Sequence, residues 1–199
     1  MLTVIGKATS INVRKVLWTC AALGLEVRRE EWREEHAALN PNRMVPVLVN
    51  GEFVLWESNA ICRYLANRYG GEALLPLETQ ARAGVEQWMD WQATELNTAW
   101  RYAFMALVRG SAAHQDPAQV AASVAGWNRL VGLLDARLGE TGAYVAGARF
   151  TLADIVLGVS VNRWLMTPME RPGYPQVDAW YARLAAHAGF AEHCANGTP

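Results

Sequence analysis

Hydrophobic and polar positions alternate between two periods along the first 75 or so residues and settle into a single one thereafter. Leu2 to Ile5 is a short apolar run suited to a buried strand, and Gly6 to Thr9 supplies a turn. From Asn12 to Leu23 the apolar residues Val13, Val16, Leu17, Cys20 and Ala21 recur at helical spacing, and Gly24 follows as a stop. Val27 opens a second short strand. A charged stretch from Glu30 to Glu35 then leads through Leu39-Asn40-Pro41-Asn42 to Pro46. The apolar runs Pro46 to Val49 and Phe53 to Leu55 flank Asn50-Gly51, a pair that adopts the positive φ angles of a type I′ turn, so this segment reads as a β-hairpin. Helical spacing returns at Ile61, Cys62, Leu65 and Tyr69, between Ser58 and the stop at Gly70-Gly71.

Beyond the linker from Gly70 to Gln80, with its glycines and Pro76, no strand pattern recurs. Trp88, Trp91, Leu96, Trp100, Ala103 and Leu107 step by three and four through a helical run from Ala81 to Arg109, and Pro117 opens another helix to about Leu138. Phe150-Thr151-Leu152-Ala153-Asp154-Ile155 is a sharp helix start, with Thr151 and Asp154 spaced for a reciprocal cap. Pro168, Pro172 and Pro175 break the chain before a last helix, Val177 to about Ala188, and a tail to Pro199 that is expected to be loosely held. The expected fold is therefore an α/β domain over residues 1–76, ordered β-α-β then β-β-α, followed by an all-helical domain over 81–199.

Composition narrows the possibilities. Basic and acidic residues number nine and eight up to Pro76, and nine and eleven beyond it, so neither half carries the basic surface nucleic acid requires. The start of the chain has no basic stretch leading into an apolar one, which makes a cytoplasmic protein without a membrane segment the expectation. Cys20, Cys62 and Cys194 have neither CxxC nor zinc-like spacing, so no metal site is expected; Cys20 and Cys62 sit in apolar helical patterns as buried thiols.

Two places in the first domain could hold an anion. Ser10 and Asn12 stand at the start of the first helix, where free amides and the helix dipole favour negative charge and a hydroxyl could donate to a thiolate. Thr9 is an alternative hydroxyl, and Asn12 an alternative main donor. Glu57-Ser58 precedes the next helix: Ser58 and the early amides suit a carboxylate, and Glu57 suits an ammonium. At both places the residues also fit plain N-capping.

Two segments, Gly6-Lys7-Ala8-Thr9-Ser10-Ile11-Asn12-Val13-Arg14-Lys15 and Val45-Pro46 through Trp56-Glu57-Ser58-Asn59-Ala60-Ile61, resemble the glutathione transferase superfamily, whose helical domain also carries a cap like Thr151 to Asp154. The Ser-x-Asn form looks closest to bacterial transferases related to the theta and nu classes. The resemblance implies a thioredoxin-like first domain with a cis proline at Pro46, leaving Val45 free to pair with glutathione like a strand. It implies glutathione as co-substrate, held by Ser10, Asn12, Met44, Val45, Glu57 and Ser58, with Ser10 or Asn12 activating the thiol. The second substrate, a small apolar electrophile, would then meet Trp100, Arg101, Tyr102, Phe104 and Trp164 in the helical domain. Peroxide or disulfide reduction through the same thiolate is a variant; the absence of a cysteine from residues 8 to 15 argues against a glutaredoxin-like reaction. The alternative is a non-catalytic glutathione-binding or partner-binding module on the same fold. The resemblance also implies a homodimer, packed across the helix after Glu57-Ser58 and the next one. Two departures stand out: Arg43 occupies a position where a glycine is often found, and the segment between Val27 and Pro46 is shorter than in close members.

Overall fold

A computed structural model describes residues 1–199. In chain order the elements are β1 (Leu2–Ile5), α1 (Ile11–Ala22), β2 (Val27–Glu30), β3 (Val47–Asn50), β4 (Phe53–Trp56), α2 (Ser58–Arg68), α3 (Thr79–Trp91), α4 (Asn97–Leu107), α5 (Pro117–Thr141), α6 (Leu152–Met166) and α7 (Pro175–Leu184). The four strands form one mixed sheet in the order β2-β1-β3-β4, with β1 parallel to β2 and antiparallel to β3. This is the thioredoxin-like arrangement the sequence implies, followed by an all-helical domain.

The register decides what the sheet presents at its edge. Ile5 pairs with Val47, and Val47 with Trp56, so three strands reach one row together. Just beyond that row lie the loop from Gly6 to Ser10, the Val45-Pro46 bond and Glu57. Gly6 is needed here: at φ 146° a Cβ would stand 2.5 Å from Val13 and 3.0 Å from Val45, so only glycine lets the loop, α1 and Val45 close on one another.

The two domains share one core. Trp18 of α1 is fully buried against α6, where Gly158 leaves space that a Cβ would fill 2.8 Å from the Trp18 ring. Lys15 is also buried at this junction, its ammonium donating to Gln92 Oε1 at 2.5 Å and, more weakly, to Asn59 Oδ1 at 3.5 Å. Gln92 opens a π-helical turn, Gln92–Leu96, that separates α3 from α4; the periodicity predicts an unbroken helix there. Gln92 Nε2 in turn donates to Ser160 on α6 and to Asn97.

The cap at Thr151 forms as expected. The Asp154 carboxylate accepts from the Thr151 amide at 2.8 Å and hydroxyl at 3.0 Å, and also from the Val145 amide and the Trp180 indole, both at 2.9 Å. Burial nevertheless raises its pKa to about 6.

Two expectations near the C-terminus need correction. The last helix ends at Leu184, and Phe190–Cys194 forms a separate π-helical turn. The tail is anchored: Arg14, itself buried, donates Nε to His193 O and Nη1 to Thr198 O, each at 2.8 Å, and Nη2 to Cys194 O. Asn162 donates to the same Thr198 carbonyl. Polar composition predicts a loose tail, but an arginine far away in sequence supplies the donors its carbonyls need.

Candidate functional site

Ser10 is the N-cap of α1, yet its half-buried side chain makes no capping hydrogen bond. The first α1 amide with a backbone partner is that of Arg14, bonded to Ser10 O; those of Ile11, Asn12 and Val13 have none. Asn12 adds a buried Oδ1 with no hydrogen-bond partner. The Ser10 hydroxyl and the free amides of the first turn thus stand at one helix N-terminus with donor capacity to spare, which suits an anion such as a thiolate, whereas the Asn12 oxygen is an acceptor and adds none. Thr9, the alternative hydroxyl, is exposed in the preceding turn.

Across the row from α1, the Val45-Pro46 bond is cis, and neither the amide nor the carbonyl of Val45 takes part in a hydrogen bond. These are the groups a strand-like ligand would use. Met44 is exposed, and its carbonyl accepts from the buried Asn40 side chain at 2.9 Å. Asn40 Oδ1 also accepts from the Asn42 amide, so the short loop is pinned from within. Arg43 sits at φ 53°, which is why glycine suits that position; the arginine compensates with an ion pair to Glu34.

Glu57, at φ 73°, occupies the left-handed region in which a non-glycine residue is strained by about 1–3 kcal/mol. Its carboxylate is exposed and makes no hydrogen bond or ion pair within the chain. Ser58 is buried, with an unbonded hydroxyl, and the first α2 amide with a backbone partner is that of Ile61. The strained backbone holds a free carboxylate beside a hydroxyl and free amides, a combination that fits an α-amino acid's ammonium and carboxylate.

The helical-domain candidates separate. A hydrogen-bond chain runs from Lys15 through Gln92 to Asn97, whose Oδ1 accepts from the Trp100 indole at 3.0 Å, fixing Trp100 relative to α1. Trp100, half-buried, and Phe104 lie one turn apart on α4, their centroids 5.3 Å apart; Phe104 is 4% exposed and belongs to the buried layer, against the expectation, whereas Arg101 is exposed. Tyr102 points to the other side of α4, where its ring packs on His114 at 4.9 Å. Trp164 departs from the expectation: it is 2% exposed and donates to Asn128 Oδ1 on α5 at 2.8 Å, so it belongs to the helical core.

Its neighbour was missed. Arg163 is 3% exposed, with its guanidinium carbon 4.6 Å from the Trp100 centroid and 4.0 Å from that of Phe104. One signal was available in the sequence: Arg163 is the only cation in an otherwise almost wholly apolar helix.

Comparison with known proteins gives matches over both domains. Residues 1–67 match the model of the glutathione S-transferase N-terminal domain, and residues 117–183 that of the glutathione S-transferase C-terminal domain. The chain is 35% identical to glutathione S-transferase GstB of Escherichia coli, over 92% of this chain and 93% of that one. A theta class glutathione S-transferase from Xanthomonas axonopodis pv. citri, solved with glutathione bound, superposes with a TM-score of 0.89 at 37% identity, covering 97% of this chain and 96% of the other. A delta-class glutathione transferase from Nilaparvata lugens gives a TM-score of 0.88 at 26% identity, over all of this chain and 95% of the other.

Proposed function

The chain belongs to the glutathione S-transferase family, and from that premise we propose that it binds glutathione at the sheet edge and uses its thiolate to attack a small electrophile. In this reading the γ-glutamyl ammonium meets Glu57, and its carboxylate meets the Ser58 hydroxyl and the free amides of α2. The cysteinyl backbone pairs with the amide and carbonyl of Val45 beside Met44. The thiol then falls at the start of α1.

A free thiol with a pKa of about 8.5 is mostly protonated at neutral pH. The Ser10 hydroxyl donates a hydrogen bond to the thiolate sulfur, Asn12 contributes its carboxamide N–H, and the free amides of the first turn add favourable potential. The thiol proton passes to solvent, sulfur attacks the electrophilic atom, and the leaving group departs or the double bond takes up a proton. Trp100 and Arg101 on α4 provide the face on which the electrophile rests, with the buried Phe104 behind them. The protein acts as a cytoplasmic homodimer; the 46% exposed Phe53, its ring tilted against Tyr64 at 4.9 Å, supports an apolar contact next to α2.

The observation that carries the reading is the shared row Ile5, Val47 and Trp56, beyond which stand three sets of polar groups without partners. Calorimetric titration with glutathione tests it. Binding in the micromolar to low millimolar range, weakened about tenfold or more by Glu57→Gln in a variant that stays folded, is expected. No heat of binding at millimolar glutathione would leave the site without its substrate.

A further inference from the structure

Arg163 and Arg14 are both buried arginines at the contact between α1 and α6, and they are treated oppositely by the chain. Arg14 spends its guanidinium on three carbonyls of the tail. Arg163 makes no hydrogen bond from its guanidinium, and no carboxylate lies within ion-pair distance. Its Nε is sealed off and unpaired, while the terminal nitrogens are equally without a partner but not sealed. The charges around it are themselves cationic: Arg14, Arg109 and the Lys15 ammonium. Burial, together with Arg14 and Arg109, pulls the guanidinium down to about 9.

An unpaired buried cation costs several kcal/mol, and a methionine would fill the same space without that penalty. The aromatic faces of Trp100 and Phe104 return only part of it. What the position lacks is an anion, and the chain supplies none. The guanidinium rests on the Trp100 and Phe104 rings of α4, the helix to which the transferase reading assigns the electrophile, and its terminal nitrogens keep unused donors there.

We propose that Arg163 is a specificity residue that binds a carboxylate carried by the second substrate, making the protein selective for aromatic electrophiles with one negative charge over neutral ones of the same shape. The proposal rests on the transferase reading for the location of the electrophile. The half-buried Trp100 takes the flat body of the substrate, and Arg163, held on Trp100 and Phe104, fixes its charged end. With an aryl chloride the thiolate sulfur forms the new carbon–sulfur bond, the carbon–chlorine bond breaks, and chloride leaves with the electron pair; the carboxylate is unchanged.

The test uses the full-length protein and two pairs of probes. For turnover these are 4-chloro-3,5-dinitrobenzoate and its amide, each rate divided by the uncatalysed rate with glutathione. For binding they are 3,5-dinitrobenzoate and its amide, which have no leaving group, titrated with and without glutathione. The wild type is expected to favour the carboxylate over the amide by about tenfold or more in both assays. Arg163→Met is expected to abolish that ratio, and Arg163→Lys to keep part of it, because charge survives but the planar fork does not. Carboxylate-selective binding without turnover would support the anion site while refuting the transferase reading. A wild-type ratio near unity, or a ratio unchanged in Arg163→Met, would overturn the proposal. So would a variant that weakens glutathione itself and leaves the ratio intact, because Arg163 would then serve glutathione's own carboxylates.

Discussion

Arg163 lies over Phe104, guanidinium carbon to ring centroid 4.0 Å, while the Arg109 guanidinium reaches the same ring at 5.3 Å. One aromatic ring therefore attracts two cations that repel each other. Phe104→Leu removes the π face and keeps most of the buried volume. It is expected to cost about 1–2 kcal/mol in urea unfolding, from lost cation–π attraction and imperfect repacking. A change below about 0.3 kcal/mol would mean that the ring contributes nothing beyond volume.

Lys15 makes stability depend on pH in an unusual direction. Burial, helped by Arg163, lowers its ammonium from an ordinary 10.5 to about 8. Between these values the unfolded chain binds the extra proton, so raising the pH favours the folded protein, with a limiting slope of about 1.4 kcal/mol per pH unit. The buried thiols work the other way, since burial raises Cys62 to about 11 and Cys20 and Cys194 to about 12. The quantity to measure is thus the difference between wild type and Lys15→Met, by urea unfolding from pH 8 to 10. The wild type should gain relative to the variant as pH rises; a constant difference would show that Lys15 stays charged throughout.

Asp154 satisfies four buried donors at once. Asp154→Ala leaves the Val145 amide, the Thr151 amide and hydroxyl and the Trp180 indole without an acceptor, and is expected to cost about 3–5 kcal/mol. Asp154→Asn, which keeps one oxygen, should lose less. A loss under about 1 kcal/mol for alanine would mean that water replaces the carboxylate, so that the cap is not what fixes α6.

The parts of this fold that could be read from the sequence are those set by neighbours in the chain. The hairpin forms where the pattern predicts it, although its turn is Gly51-Glu52: Asn50 pairs with Phe53 as a strand residue and only Gly51, at φ 63°, is left-handed; Thr151 and Asp154 cap their helix three residues apart. Nothing local, however, shows that Ile5, Val47 and Trp56 share a row, because register is a property of paired strands. The family motifs brought Ser10, Val45 and Glu57 to attention, whereas only the sheet shows why they meet. Trp164 and Arg163 show the opposite limit. The helix carrying them is buried on nearly every side, so its apolar pattern does not indicate which residue faces the core and which faces the site. The tail was misread for a similar reason: its order comes from Arg14, not from its own residues.

On the proposed reading Ser10, at the start of α1, holds the sulfur of glutathione as a thiolate. The most direct measurement is the ultraviolet absorbance of thiolate in the glutathione complex, followed against pH for wild type, Ser10→Ala and Asn12→Ala under saturating glutathione. The wild-type complex should titrate near pH 7 or below, against about 8.5 for a free thiol, and Ser10→Ala should return the pKa upward by about one unit or more with a parallel loss of turnover. A wild-type thiol that titrates like free glutathione, or a lowered pKa unaffected by Ser10→Ala, would contradict the account.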